Sequence, residues 1–286
     1  MKTLFQHLIP KFFLHFTVIG LGILWTLPSL GLLISSLRPA AAIEASGWWS
    51  VLQRPLDFSQ FTLENYAIVL GREGLFQAFL NSVVIALPAT IITLTIAAFA
   101  AYALSWMQFP GRKGLFIAIV ALLVVPLQMT LIPVLQLYNT LGLSGLFVGV
   151  WLAHTGYGMP LGVYLLRNSI NALPGDLLEA AALDGATHWQ TFTRIVLPLS
   201  IPALASFGIF QFLWVWNDLL VALVYLGANR TVAPLTLVLR NLVGDRGQDW
   251  HLLTAGAFVS MIIPLILFIS LQRYFVRGLL AGSVKG

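Results

Sequence analysis

The sequence predicts an all-α protein, a polytopic transmembrane bundle of about six helices, on three observations. Apolar residues make up 59% of the 286 and charged residues 9%. A soluble domain carries about 25% charged residues, so this chain, with a mean hydropathy of +0.91, lacks the polar surface to face water all round. Six apolar stretches approach the roughly 20 residues that cross a bilayer, at 12–37, 79–106, 115–135, 146–166, 201–226 and 252–274. None alternates over about ten residues, as the strands of a membrane barrel do.

The elements follow in order. Ala40-Ala41-Ala42 after the first stretch looks like a cleavage site. The apolar run before it far exceeds the roughly 7–15 residues of a leader, so the first span is expected to be a retained anchor. An outer loop at 38–78 holds Trp48-Trp49, Pro55 and aromatic residues at 58, 61 and 66, which suit either a partner or an interfacial aromatic belt. Residues 1–75 are read as the first span with its periplasmic loop, and 76–286 as the main transmembrane domain. Pro28, Pro88, Pro126, Pro160 and Pro264 fall within spans. Neighbours that satisfy the freed carbonyls make such kinks tolerable. A second long outer loop is expected at 227–251.

Charge sets the expected orientation. With the N-terminus inside, nine basic residues face the cytoplasm: Lys2, Lys11, Arg112, Lys113, Arg167, Arg194, Arg273, Arg277 and Lys285. Six face outward: Arg38, Arg54, Arg72, Arg230, Arg240 and Arg246. The excess places both termini inside. The net charge of +5 is scattered rather than striped, which argues against nucleic acid.

Residues 168–199 then form the longest inward loop, with strong local signals. Asp176 followed by Glu179 resembles a capping box for a helix at 177–184. Gly185 is a natural left-handed terminus. Thr187, with Gln190 three positions on, offers a second cap for a helix at about 188–197, which Pro198 should stop. Leu177, Leu178 and Ala181 give the first helix an apolar face, and Trp189, Phe192, Ile195 and Val196 the second. A bent helical pair with small residues can plug a partner's groove or lie on lipid.

Glu179-Ala180-Ala181, then Gly185, then Ile195-x-Leu197-Pro198 match, element by element, the EAA motif of binding-protein-dependent ABC permeases. The form EAAALDGA resembles the sugar branch of that family. Phe79-Leu80-Asn81-Ser82, Ala101-Tyr102-Ala103-Leu104, Trp216-Asn217-Asp218 and the tail Gln272-Arg273-Tyr274-Phe275-Val276-Arg277-Gly278 are similar to maltose-type permeases, closest to the maltose G-type half of a heterodimeric channel. The resemblance covers about 75–286. It implies a type I importer permease fold in the bacterial inner membrane, working by alternating access. The 176–198 segment becomes a coupling helix seated in an ATPase subunit, with Glu179, Ala180, Ala181, Asp184, Gly185, Ile195, Leu197 and Pro198 at that contact. The implied partners are a second permease, two ATPase subunits that bind ATP and Mg, a periplasmic or lipid-anchored solute-binding protein, and lipid. No cofactor is expected in this chain.

Polar groups inside spans are costly and usually face a bundle interior or water. On an unbroken fifth span, Gln211, Trp214 and Asp218 share one face, with Asn217 beside it. Amides, a carboxylate and an aromatic ring suit a sugar, so these four residues are the candidate solute path. Packing is the competing reading. Gln128, Gln136 and Asn168 are weaker candidates.

Several chemistries are missing. There are no cysteines, hence no thiolate site. No GxxxxGK[ST], HExxH or GxSxG is present, and the five histidines are scattered. Asn229-Arg230-Thr231 fits a glycosylation pattern that is common by chance. The expected function is a non-enzymatic permease for a sugar or sugar-like solute of the maltose, trehalose, glucoside or compatible-solute class. A glycerol-phosphate or polyol importer is the alternative. An intramembrane glycosyltransferase needs clustered acids, and an ion-coupled carrier needs inverted repeats; neither is visible.

Overall fold

The computed structural model describes the backbone of residues 2–71, 74–227, 229–242 and 249–283, with side chains from 13 to 273 within those ranges. Of the charges that set the orientation, Lys2, Lys11, Arg72, Arg246, Arg277 and Lys285 lie outside the described side chains, as does the tail motif from Tyr274 on. The described residues form helices and turns, with no strand among them. They divide into two compact units, one of Met1–Phe76 with Leu239–Met261, the other of Gln77–Val238 with Ile262–Gly286.

The first unit is built around the end of α1 (Lys2–Ser36). This helix keeps Pro28 in its interior and exposes apolar side chains along most of its length, as a helix solvated by lipid does. A helix end leaves carbonyls without intrahelical donors, and here the following segment supplies them. After α2 (Ala40–Ala45) and two short 3₁₀ turns comes α3 (Glu64–Gly71). Asn65, at the start of α3, donates from Nδ2 to the carbonyls of Ser36 (2.9 Å) and Arg38 (2.8 Å). The Tyr66 and Ser36 hydroxyls share a 2.7 Å hydrogen bond. Buried Arg38 donates to the carbonyls of Ser46 and Gly47. Trp48 lies against the α1 backbone at Gly31, where a Cβ would come within 2.7 Å of its indole. Asp57 caps a 3₁₀ turn, and the Ser59 hydroxyl and amide that it accepts from hold its carboxyl below the usual range.

The second unit contains most of α4 (Leu75–Trp106), then α5 (Arg112–Ala121), α6 (Leu127–Leu141), α7 (Phe147–Asn171), α8 (Gly175–Leu183), α9 (His188–Thr191), α10 (Leu197–Leu199), α11 (Ile201–Trp216) and α12 (Leu220–Leu226). Two further helices, α13 (Leu235–Leu242) and α14 (Trp250–Ser283), run through the boundary between the units. The core of the second unit joins Ala97, Ala101 and Tyr102 of α4, Val163, Leu166 and Ile170 of α7, Phe192 and Val196 of the segment before α11, and Phe207 of α11. Close approach of α7 and α11 explains that packing. Gly158 and Gly162, four apart on α7, face Gln211 and Phe207, four apart on α11. A Cβ at 158 would lie 2.4 Å from the Gln211 amide, and one at 162 would lie 2.6 Å from the Phe207 ring. Small residues at this spacing let membrane helices touch backbone to side chain.

Among the described residues, three helices are long and apolar enough to cross a membrane: Phe13–Ser36, Leu75–Trp106 and Trp250–Arg273. Two bent pairs raise the number to as many as five. The expected single span at 115–135, kinked at Pro126, is instead two helices, Arg112–Val124 and Leu127–Leu141, inclined by 103°. The break falls at Val125-Pro126, both extended; a residue before proline is pushed out of the helical region. Pro126 thus ends a helix, while Pro28, Pro88, Pro160 and Pro264 stay inside theirs. The fourth predicted span is the helix α7, which falls outside that apolar group. The fifth is broken too: α11 ends at Trp216 and α12 begins at Leu220.

Candidate functional site

The segment from α8 to α11 folds as a helical elbow. Pro174 precedes α8 with φ −59°, so the helix starts at Gly175 and Asp176 falls inside the first turn. The expected capping box of Asp176 and Glu179 therefore does not form. Asp176 instead places a carboxylate near free amides at the positive end of the helix, a favourable position. The other end is as expected. Gly185 has φ +77°, its amide donates to Ala182 O (3.1 Å), and Ala186 N–H donates to Ala181 O (2.9 Å). This pair of bonds is a Schellman ending. Thr187 and Gln190 then form a reciprocal capping box, with Gln190 N–H to Thr187 Oγ1 at 3.3 Å and Thr187 N–H to Gln190 Oε1 at 2.8 Å.

Pro198 does not stop the second helix. A π turn at Phe192–Val196 precedes it, with Leu197 N–H donating to Phe192 O. Helical backbone continues to Leu199 and turns by 74° into α11 at Ser200. The wider turn shifts the bonding pattern ahead of the proline, which has no amide hydrogen to lose.

One side of the elbow is anchored in the second unit. Phe192 packs on Phe99 (4.9 Å) and Tyr102 (5.3 Å) of α4, and Trp189 stacks on Phe99 (6.0 Å). The Tyr102 hydroxyl shares a 3.1 Å hydrogen bond with His188 Nδ1. Ala181 and Val196 are buried, and Leu178, Leu197 and Ile195 are partly so. The other side faces out: Leu177, Glu179, Ala180, Asp184, Gly185 and Pro198 are exposed, and Leu183 is 89% exposed. The residues of the sequence motif thus divide between a buried anchor and an open face.

The four solute-path candidates do not share the face that an unbroken helix gives them. Asn217 ends α11 and donates to Leu213 O (2.8 Å), while its side chain stays exposed. Asp218 lies beyond the helix and caps α12, accepting from Val221 N–H (3.2 Å) and Ala222 N–H (3.0 Å). Its own carbonyl accepts from the Thr236 hydroxyl at 2.6 Å. Trp214 is half-buried, and Gln211 is fully buried at 0% exposure. Gln211 donates from Nε2 to the His154 carbonyl on α7 (3.3 Å). The His154 ring, 1% exposed, places Nε2 3.7 Å from Asp218 Oδ2. The fold therefore joins Gln211 and Asp218 through His154, a residue the sequence reading left among scattered histidines. The Gly158-x-x-x-Gly162 spacing flags α7 as the close neighbour of a helix and was the available signal. Beside this cluster, the Tyr157 hydroxyl hydrogen-bonds Thr130 (2.9 Å) and Tyr225 (2.8 Å), tying α6, α7 and α12 together. Gln128, Gln136 and Asn168 are all exposed. Among the described residues no group of three or more acids and histidines could hold a metal.

Comparison with known proteins agrees with this architecture. The family model for the binding-protein-dependent transport system inner membrane component matches residues 93–280. The chain is 63% identical to the osmoprotective compounds uptake permease protein GgtD of Synechocystis, over 99% of this chain and 94% of that one. It is 43% identical to the alpha-glucoside transport system permease protein AglG of Rhizobium meliloti, over 95% and 96%. A chain of a bacterial alginate ABC transporter, solved with a periplasmic protein carrying an alginate pentasaccharide, superposes with a TM-score of 0.65 at 16% identity, covering 92% of this chain and 94% of that one.

Proposed function

The chain belongs to the binding-protein-dependent transport system inner membrane components, and from that premise we propose that it is the permease half of an ATP-driven importer for an osmoprotective, glucose-containing solute. A non-catalytic permease of a carbohydrate or solute ABC importer is the family's role. The finer substrate reading rests on one observation, the 63% identity along nearly the whole chain to a permease for osmoprotective compounds. The 43% identity to an alpha-glucoside permease supports it. The class includes glucosylated compatible solutes, sucrose, trehalose and maltose.

In this reading the chain crosses the inner membrane six times with both termini in the cytoplasm, α7 serving as the fourth span and the two bent pairs as the third and fifth. It pairs with a second permease and receives solute from a periplasmic or lipid-anchored binding protein. Two ATPase subunits bind the ATP and Mg. The elbow from 176 to 198 is the coupling element. Its outward face, with Glu179, Ala180, Asp184, Gly185 and the exposed Leu177 and Leu183, docks on an ATPase subunit. Its inward face, with Ala181, Ile195 and Leu197, carries the motion into α4 and α11 as a rigid-body shift. At the other site Asn217 and Trp214 touch the solute, and Gln211 and Asp218 shape the path from behind.

Deleting the gene from its native host and restoring it on a plasmid tests the substrate. Uptake of labelled sucrose, trehalose, maltose, glucosylglycerol and glycerol 3-phosphate is then measured in both strains. Loss and recovery of uptake of one or more of the four glucosides supports the reading. If only glycerol 3-phosphate uptake depends on the gene, the polyol importer replaces it.

A further inference from the structure

Two fully buried polar side chains of the second unit lie close to the break that ends α11. His154 and Gln211 are both under 2% exposed. Neither ring nitrogen of His154 makes a hydrogen bond, and Gln211 Oε1 makes none either. A buried polar group left unpaired is destabilising, and an apolar side chain of similar volume at 154 would avoid that cost. The imidazole lies 3.7 Å from Asp218, just beyond hydrogen-bond length and one side-chain adjustment from contact. A carboxylate accepts more than the two amide bonds that Asp218 now takes.

We propose that His154 is a positioning residue for solute transport: acting through Asp218, it holds the unwound turn at 217–219 in the shape that presents Asn217. The turn is held by hydrogen bonds from two sides and faced by the imidazole from a third. The amides of Val221 and Ala222 hold the Asp218 carboxylate. The Thr236 hydroxyl holds the Asp218 carbonyl. From α7, the His154 carbonyl fixes Gln211 while the ring faces the carboxylate. Backbone unwound within a membrane bundle is tolerated where protein buries it or where it borders a cavity, and such breaks lie beside solute sites in other transporters. His154 supplies the only imidazole at this break among the described residues. The inference rests on the reading that Asn217 faces the solute.

The test uses the assembled transporter in proteoliposomes, with His154→Ala, His154→Gln, Asp218→Ala and the double variant H154A/D218A. Uptake kinetics are read on the panel glucoside with the highest wild-type rate. Hydrogen exchange at 217–226 is read without any solute. The expected result is a KM raised about fivefold or more in H154A, with maximal rate and ATPase activity near wild type, a loss of uniform solute binding. H154Q, whose amide still reaches Asp218, recovers part of the KM. The double variant is no worse than D218A, because the two residues act as one unit. Exchange at 217–226 rises in H154A. An unchanged KM with unchanged exchange overturns the proposal, and so do effects that multiply in the double variant. If H154A does not assemble, H154N, whose shorter amide cannot reach Asp218, replaces it in the cycle. If no panel glucoside is imported, the substrate reading has failed, and the exchange measurement alone decides the role of His154.

Discussion

Two glycines on α7 set how closely the central helices meet, and they differ in what surrounds them. At Gly162 a methyl group would meet the rigid Phe207 ring at 2.6 Å and Ala97 Cβ at 3.0 Å. At Gly158 it would meet the Gln211 amide at 2.4 Å, the end of a longer but fully buried side chain. Gly208, in contrast, has only Leu94 methyls at 3.4–3.5 Å, an ordinary contact. Overpacking a filled core costs on the order of 1–3 kcal/mol. Gly162→Ala and Gly158→Ala are therefore expected to lower the thermal unfolding midpoint of the purified transporter by several degrees, and Gly208→Ala to leave it within error. A G208A variant as unstable as G162A would show that the space at these glycines does not decide the packing.

At the scale of elements, the elbow shows what local chemistry can and cannot announce. Gly185, Thr187 and Gln190 were legible because each signal is completed within three residues: a left-handed terminus, then a side-chain oxygen and the amide it caps. Asp176 misled because Pro174, two residues earlier, starts the helix and takes the cap position away. The breaks were less legible still. Val125-Pro126 ends a helix while Ile263-Pro264 continues one, and nothing local separates the two pairs. The shared face of Gln211, Trp214 and Asp218 assumed an unbroken helix through 217. The His154 contact spans 64 residues and depends on α7 and α11 meeting, which only the packed bundle reveals. The elbow's own signals carry a prediction. Thr187→Ala removes the capping oxygen, a loss of about 1 kcal/mol, and Gly185→Ala forces a side chain to φ +77° at about 1–2 kcal/mol. Both loosen the joint between α8 and α9 while leaving the Phe99–Tyr102–Phe192 anchor intact. ATP-driven uptake is expected to fall severalfold while ATP hydrolysis persists, a loss of coupling read by measuring both rates on the same vesicles. Equal losses in the two rates would mean that the joint serves assembly instead.

For the whole molecule, the orientation links the elbow to its proposed work, because an ATPase reaches it only from the cytoplasm. The charge count favours that side through Arg112, Lys113, Arg167 and Arg194. The structure adds that Arg112 donates to the carbonyls of Ser105 and Met107 at the end of α4, while the Arg167 guanidinium sits 4.0 Å from the centre of the Phe116 ring. Arg112 and Arg167 thus gather where α4 and α5 meet, as a cytoplasmic loop would have it. The Trp48–Phe61 stretch follows the first span, and its exposed Trp49, Leu52, Leu56 and Phe58 suit a membrane–water interface. The chain contains no cysteine, so single cysteines can be introduced without background. Leu183→Cys, at the exposed tip of the elbow, and Leu56→Cys, in the outer segment, are both open to reagent. A membrane-impermeant maleimide added to intact spheroplasts is expected to label Leu56→Cys and not Leu183→Cys, with the reverse preference in inside-out vesicles. Labelling of Leu183→Cys from outside would put the elbow beyond the reach of any cytoplasmic motor, and the coupling proposal would fail with it.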